Sequence, residues 1–157
     1  MQNRYNRRNR RKYNLKVHIV LVTKYRKALL QNGIDDFVKR AISYLADQND
    51  WTIISMETDK DHVHILLEYD ATERICDIIS IIKQRTTHWL WMRHRDVLSK
   101  QYWKKHIFWS DGYFVCSIGE VSSATIEKYI AEQGGERRKR LLPPAKSKWV
   151  SVAKLFI

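Results

Sequence analysis

The chain has 157 residues, 44% of them apolar and six of them tryptophan, which is enough for a single domain that folds alone, and its formal net charge is +12. No run approaches the roughly 20 apolar residues that a bilayer crossing needs, and no N-terminal stretch has signal-peptide form, so a soluble, cytoplasmic protein is expected. Two cysteines without a CxxC, Cys76 and Cys116, rule out a disulfide framework and are expected as buried thiols.

The chain opens on a basic arm, residues 1–14, containing "RYNRRNRRK", and closes on a basic tail, residues 135–157, containing "ERRKRLLPPAKSK". These two segments hold the positive surplus and leave the domain between them, residues 15–134, near neutral. Clustered cations gain by releasing the counterions condensed on nucleic acid, whereas a solvated, solubilising tail is the plainer reading of either run alone. Two runs flanking a near-neutral domain favour nucleic acid.

Within the domain, "LKVHIVLVT" (15–23) is rich in β-branched residues and predicts a strand. Gly33 then breaks the chain, Asp35 or Asp36 can cap, and Phe37, Ala41, Tyr44 and Leu45 recur at helical spacing. "WTIISMETD" (51–59) and "HVHILLEY" (62–69), joined by Lys60 and Asp61, predict an antiparallel hairpin. From Thr72 to Leu98 the pattern is helical again, with Ile75, Ile78, Ile79, Ile82 and Leu90 on one stripe. A polar, aromatic loop leads to a fourth strand, "YFVCSI" (113–118), which Gly119 ends. "SSATIEKYIAEQGG" predicts a last helix, capped by Ser122 or Ser123 and stopped by Gly134 and Gly135. The expected fold is therefore α+β: a ferredoxin-like or RRM-like βαββαβ unit with a four-stranded antiparallel sheet, helices on one face, an open opposite face, and a C-terminal helix.

The hairpin's second strand carries the chemistry. Residues i and i+2 of a strand point the same way, so Val63, Ile65 and Leu67 form a core face while His62, His64, Leu66 and Glu68 share the other. Two imidazoles side by side can hold one divalent metal if further ligands come from elsewhere. In the last helix Tyr129 and Gln133 are four apart, hence on one helical face, and could present a phenol and an amide oxygen to the same metal. Tyr129 could equally be a core aromatic beside Ile126 and Ile130.

Four stretches occur together: "VTKYR" (22–26), "DHVHILL" (61–67), "FWSDGYFVCSIGEV" (108–121) and "YIAEQ" (129–133). In this combination the chain resembles the single-tyrosine HUH transposases, the TnpA-type enzymes of insertion sequences that move as single-stranded DNA. The resemblance implies that His62 and His64 are metal ligands, Gln133 a third ligand, Tyr129 the nucleophile and Mg²⁺ or Mn²⁺ the cofactor. It further implies a 5′-phosphotyrosine intermediate, recognition of imperfect DNA hairpins, and a homodimer, for which Gly119 could serve as a hinge or equally be a simple turn glycine. One departure is "IKQRTTHWL" (82–90), where the family more often has a small residue after the lysine.

For the DNA surface, residues 83–105 hold seven Lys/Arg against one acid, Asp96, interleaved with Trp89, Trp91, Tyr102 and Trp103. Such a mixture can pair phosphates and stack splayed bases, and helical packing is the rival account of the tryptophans. Lys83, Arg85, Lys24 and Arg26 are the candidate contacts, together with the arms. The alternatives are a non-catalytic RRM-like single-stranded nucleic-acid-binding module, for which the RNP-type aromatic string is missing, and a domesticated HUH endonuclease that cuts host repeat hairpins.

Overall fold

The computed structural model describes residues 6–8, 11–103 and 105–118. Its strands are β1 (Asn6–Arg8), β2 (Arg11–Tyr13), β3 (Leu15–Val22), β4 (Thr52–Asp59), β5 (His62–Tyr69) and β6 (Phe114–Ser117). Its helices are α1 (Ile34–Gln48), α2 (Ile75–Arg93) and α3 (Arg95–Gln101). The main sheet has the order β4-β5-β3-β6, with every neighbouring pair antiparallel. This is the predicted ferredoxin-like arrangement, in which the first and third strands of the motif lie at the centre. The basic arm differs from expectation, because β1 and β2 pair as a small separate ladder. The predicted last helix, Gly119 and the C-terminal tail lie outside the described residues.

Alternation in β3 and β5 builds the core. Val17, Ile19 and Leu21 of β3 and Val63, Ile65 and Leu67 of β5 are all fully buried, and they meet Val38 and Ile42 of α1 and Ile78, Ile79 and Ile82 of α2. We expect Leu67→Ala to cost about 3 kcal/mol of unfolding free energy, from lost transfer energy plus the cavity left behind. Urea denaturation would read this as a lower midpoint with an unchanged slope.

Several local expectations are corrected. The buried stripe of α1 is Ile34, Val38, Ala41, Ile42, Leu45 and Ala46, which includes the predicted Ala41 and Leu45, while Phe37 is only partly buried against the core and Tyr44 is exposed at the edge against Trp89. The N-cap position of α1 is not an aspartate. Its N-cap is Gly33 at φ +93°, a conformation L side chains rarely adopt, and Asp35 reaches back to accept the Gly33 N–H. The long second helix stops at Arg93 because His94 leaves helical geometry, and α3 starts afresh so that Leu98 and Tyr102 turn into the core. Neither cysteine is buried as expected: Cys76 lies on the solvent side of α2, and Cys116 is half-buried on β6.

The sheet's second face is not open either. His18, His64 and Leu66 are buried there, and Leu66 forms a small second cluster with Ile118 and Ile54. A bulge between Ile53 and Ser55 shifts the β4 register, so that Ile53 and Met56, three apart, both pack on the main core while Ile54 joins the second cluster. No helix among the described residues is long and apolar enough to cross a membrane.

Candidate active site

Strand β5 places His62 and His64 next to each other on the face away from α1 and α2. Their ring centroids are 4.9 Å apart with the planes at 77°. Each ring is held through Nδ1 by a different partner. His62 Nδ1 is 2.6 Å from Asp61 Oδ1, and the second oxygen of Asp61 accepts the Arg26 Nε–H at 2.8 Å. The His62 hydrogen bond, reinforced by charge attraction and by Arg26, holds the Asp61 carboxyl below the usual carboxylate range against the opposing effect of its burial.

The turn that supplies Arg26 is bound to the hairpin through its backbone. Thr23 N–H and Oγ1 both donate to the Asp61 carbonyl, at 2.9 and 3.2 Å, and Lys24 N–H donates to the Phe108 carbonyl at 2.7 Å. Tyr25 and Arg26 follow at φ 59° and 50°. Two successive non-glycine residues in left-handed conformation cost on the order of 1–3 kcal/mol each and persist only where neighbours fix them. Here Thr23 and the Arg26–Asp61 pair do so, and "TKYR" thereby becomes part of the histidine site.

His64 has a partner that sequence spacing does not reveal. On β3, His18 lies opposite Leu66 while Val20 lies opposite His64, which puts the two histidines diagonally across the sheet on one face. His18 Nε2 and His64 Nδ1 are 3.0 Å apart. Burial lowers the His18 pKa to about 4, so the ring is neutral at pH 7. A histidine 46 residues upstream with an ordinary strand neighbourhood carries no local signal; only the β3–β5 register exposes it.

The residues picked out for DNA are differently placed. Lys83 Nζ donates to three carbonyl oxygens, those of Ser110 at 2.7 Å, Asp111 at 3.1 Å and Gly112 at 2.8 Å, fastening α2 to the loop that leads into β6. Burial lowers its pKa, with Asp111 opposing and Lys24 adding to the shift. Lys24 pairs with the Asp111 carboxylate at 2.7 Å. Arg85 is exposed, beside Tyr44 and Trp89 in a cleft between α1 and α2.

Of the aromatics, Trp91 and Tyr102 belong to the core, donating to the carbonyls of Ile107 at 3.0 Å and Lys24 at 2.7 Å, while Trp103 is exposed. A larger cleft of about 580 Å³ runs between α2 and the 106–111 loop, and none of the three histidines lines it. The histidine cluster lies on the sheet, away from that cavity.

Among the described residues, no group of three His, Cys, Asp or Glu could by itself hold a metal ion. The histidine pair is thus an incomplete donor set. Tyr129 and Gln133, named from the sequence, lie outside the described residues.

The chain is similar to known transposases over most of its length. The family model for IS200-like transposases matches residues 11–133. The chain is 29% identical over 121 residues to the ISDra2 transposase TnpA of Deinococcus radiodurans, covering 77% of this chain and 85% of that protein. It is 27% identical over 122 residues to the transposase of insertion sequence element IS200 from Salmonella typhimurium, covering 78% of each. A crystal structure of a Deinococcus radiodurans protein assigned as a transposase superposes with a TM-score of 0.67 at 26% identity, over 82% of this chain and 97% of that one. A REP-associated tyrosine transposase, solved bound to a REP hairpin, shares the fold with a TM-score of 0.58 at 13% identity, over 82% of this chain and 75% of that one.

Proposed function

The chain belongs to the IS200-like family of single-tyrosine HUH transposases, and on that premise we propose that it cleaves and rejoins single-stranded DNA at insertion-sequence ends through Tyr129. The observation that carries this reading is the pair of adjacent imidazoles, each held through Nδ1, on one face of the sheet. The divalent metal ligands would be His62 and His64, joined by Gln133. The donor set would be mixed, two imidazole nitrogens and one amide oxygen from the chain, with the oxygens that Mg²⁺ and Mn²⁺ prefer supplied by phosphate and water. When bound, the cation supplies charge neutralisation at the scissile phosphate.

The chain's own residues do the rest. The Tyr129 hydroxyl oxygen attacks phosphorus, the bond to the 3′-oxygen breaks, and the products are a 5′-phosphotyrosine and a free 3′-OH. Forming phenolate at pH 7 from a group of pKa about 10 costs on the order of 4 kcal/mol, so loss of the phenol proton is coupled to attack. Rejoining reverses the step: another strand's 3′-OH attacks the phosphotyrosine and the phenol is released. No water is consumed, and the bond energy is conserved.

The domain limits at 14 and 134, the basic arms as phosphate contacts, subterminal hairpins as the recognised DNA and a homodimer as the working unit are parts of the same proposal. The non-catalytic RRM-like alternative needs an open sheet face with stacking aromatics, whereas His18, His64 and Leu66 are buried on that face here. Incubation of the purified protein with single-stranded element ends and Mg²⁺ should give a covalent protein–DNA adduct at Tyr129.

Asp61 gives a graded test. Asparagine keeps its shape but removes the charge that faces Arg26 and His62. Loss of such a partner weakens metal affinity roughly 10- to 100-fold, so Asp61→Asn should raise the Mg²⁺ concentration for half-maximal cleavage by that factor. Saturating Mg²⁺ should restore most of the rate.

A further inference from the structure

Accepting His62 and His64 as the metal ligands, we infer that His18 is a positioning residue that selects the His64 tautomer able to bind the cation. The geometry is that of one in-plane hydrogen bond. The rings are nearly coplanar, at 12°, with centroids 5.2 Å apart and Nε2 of His18 3.0 Å from Nδ1 of His64. A centroid distance that long at so small an angle is reached with the rings edge to edge along the N···N line, not face to face.

In a single hydrogen bond between the two rings, one nitrogen must donate and the other accept. If His64 Nδ1 carries the proton, it donates to the His18 Nε2 lone pair, and the His64 Nε2 lone pair is the one offered to a metal. If His18 Nε2 carries it instead, His64 Nδ1 accepts, the His64 proton sits on Nε2, and that nitrogen cannot ligate. The choice of tautomer on His18 therefore decides whether His64 is a ligand.

The fold makes this choice stiff. His18 is 1% and His64 5% exposed, so bulk water scarcely competes for the bond. Strand β3 is central, paired on one side with β5 and on the other with β6, and Phe114 of β6 sets its ring edge-on to His18 at 6.3 Å. The β3–β5 register fixes the diagonal from His18 to His64, and a register slip of one residue would turn His18 to the other face. His62 is held by a carboxylate from the turn, whereas His64 is held by a neutral ring from inside the sheet. The two ligands thus have independent supports.

The test uses the intact protein and metal binding, not turnover. His18→Phe keeps a planar ring but removes the acceptor, whereas His18→Gln can place a carbonyl oxygen near the lost Nε2. Titration with Mn²⁺, followed by electron paramagnetic resonance of the free ion, should show roughly 10- to 100-fold weaker binding in His18→Phe. His18→Gln should recover most of that loss. Hairpin-oligonucleotide binding in EDTA should be the same in both variants and the parent.

Parent-like Mn²⁺ affinity in His18→Phe would overturn the role of His18. So would equal weakening in both variants matched by an equal fall in melting temperature in EDTA, which marks a packing role only. If His64→Ala binds Mn²⁺ as the parent does, the metal reading itself falls, and this inference falls with it. Nitrogen-15 shifts of the imidazoles in the metal-free parent need no variant: His64 should carry its proton on Nδ1, and a dominant Nε2–H form would contradict the inference.

Discussion

Tyr129→Phe should give no covalent adduct with single-stranded element ends at any time or Mg²⁺ concentration, and no strand transfer. Phenylalanine keeps the ring and loses the one oxygen that can form the bond to phosphorus, so the expected effect is complete. A denaturing gel with a labelled oligonucleotide distinguishes an adduct that survives boiling from a tight complex that does not. An adduct of parental yield in this variant would transfer the nucleophile to another residue and remove the role proposed for the last helix. A hydrolytic product without an adduct would contradict the tyrosine chemistry in another way, because water would then be the attacking group.

The second large effect is expected at the histidines. His64→Ala, or excess EDTA with the parent protein, should leave oligonucleotide affinity within about twofold, because phosphate contacts from basic side chains set most of that affinity. Cleavage should become undetectable in both. The two arms matter together: His64 is buried against His18, so its removal carries a packing cost, whereas a chelator changes no side chain. Parallel loss of binding and cleavage in EDTA would make the cation structural. Cleavage that persists in EDTA would dismiss the metal outright.

The sequence reading reached the fold because its signals were local. Alternation in "HVHILLEY" separates His62 and His64 from Val63, Ile65 and Leu67 by period alone, and the structure places these residues on opposite faces. The four-stranded order followed from element order and from the short Lys60–Asp61 connection. What escaped was set by partners distant in sequence. His18 is brought beside His64 by the β3–β5 register, which no window of sequence contains. The charge of Arg26 makes it a candidate phosphate contact, and its pairing with Asp61, made by two turns folded onto each other, carries no signal in the sequence.

Trp91 and Tyr102 show a similar limit. Their types suit base stacking and core packing alike, and only the hydrogen bonds to Ile107 and Lys24 carbonyls decide for the core. The end of α2 at His94 escaped because the apolar stripe runs on through Leu98 without a proline or glycine to mark the break.

The Lys83 ammonium has a consequence for how the protein would respond to ionic strength. A lysine on a solvated surface gives its full charge to an incoming phosphate, and each such contact steepens the dependence of affinity on salt. Lys83 already spends its three donors on the backbone of residues 110–112. A phosphate could recruit it only by displacing one of those oxygens, so that enthalpy gained outside is lost inside. Its positive charge acts first as a rivet between a helix and the entry to an edge strand, and the salt sensitivity of the molecule must be sought in cations that hold nothing else together.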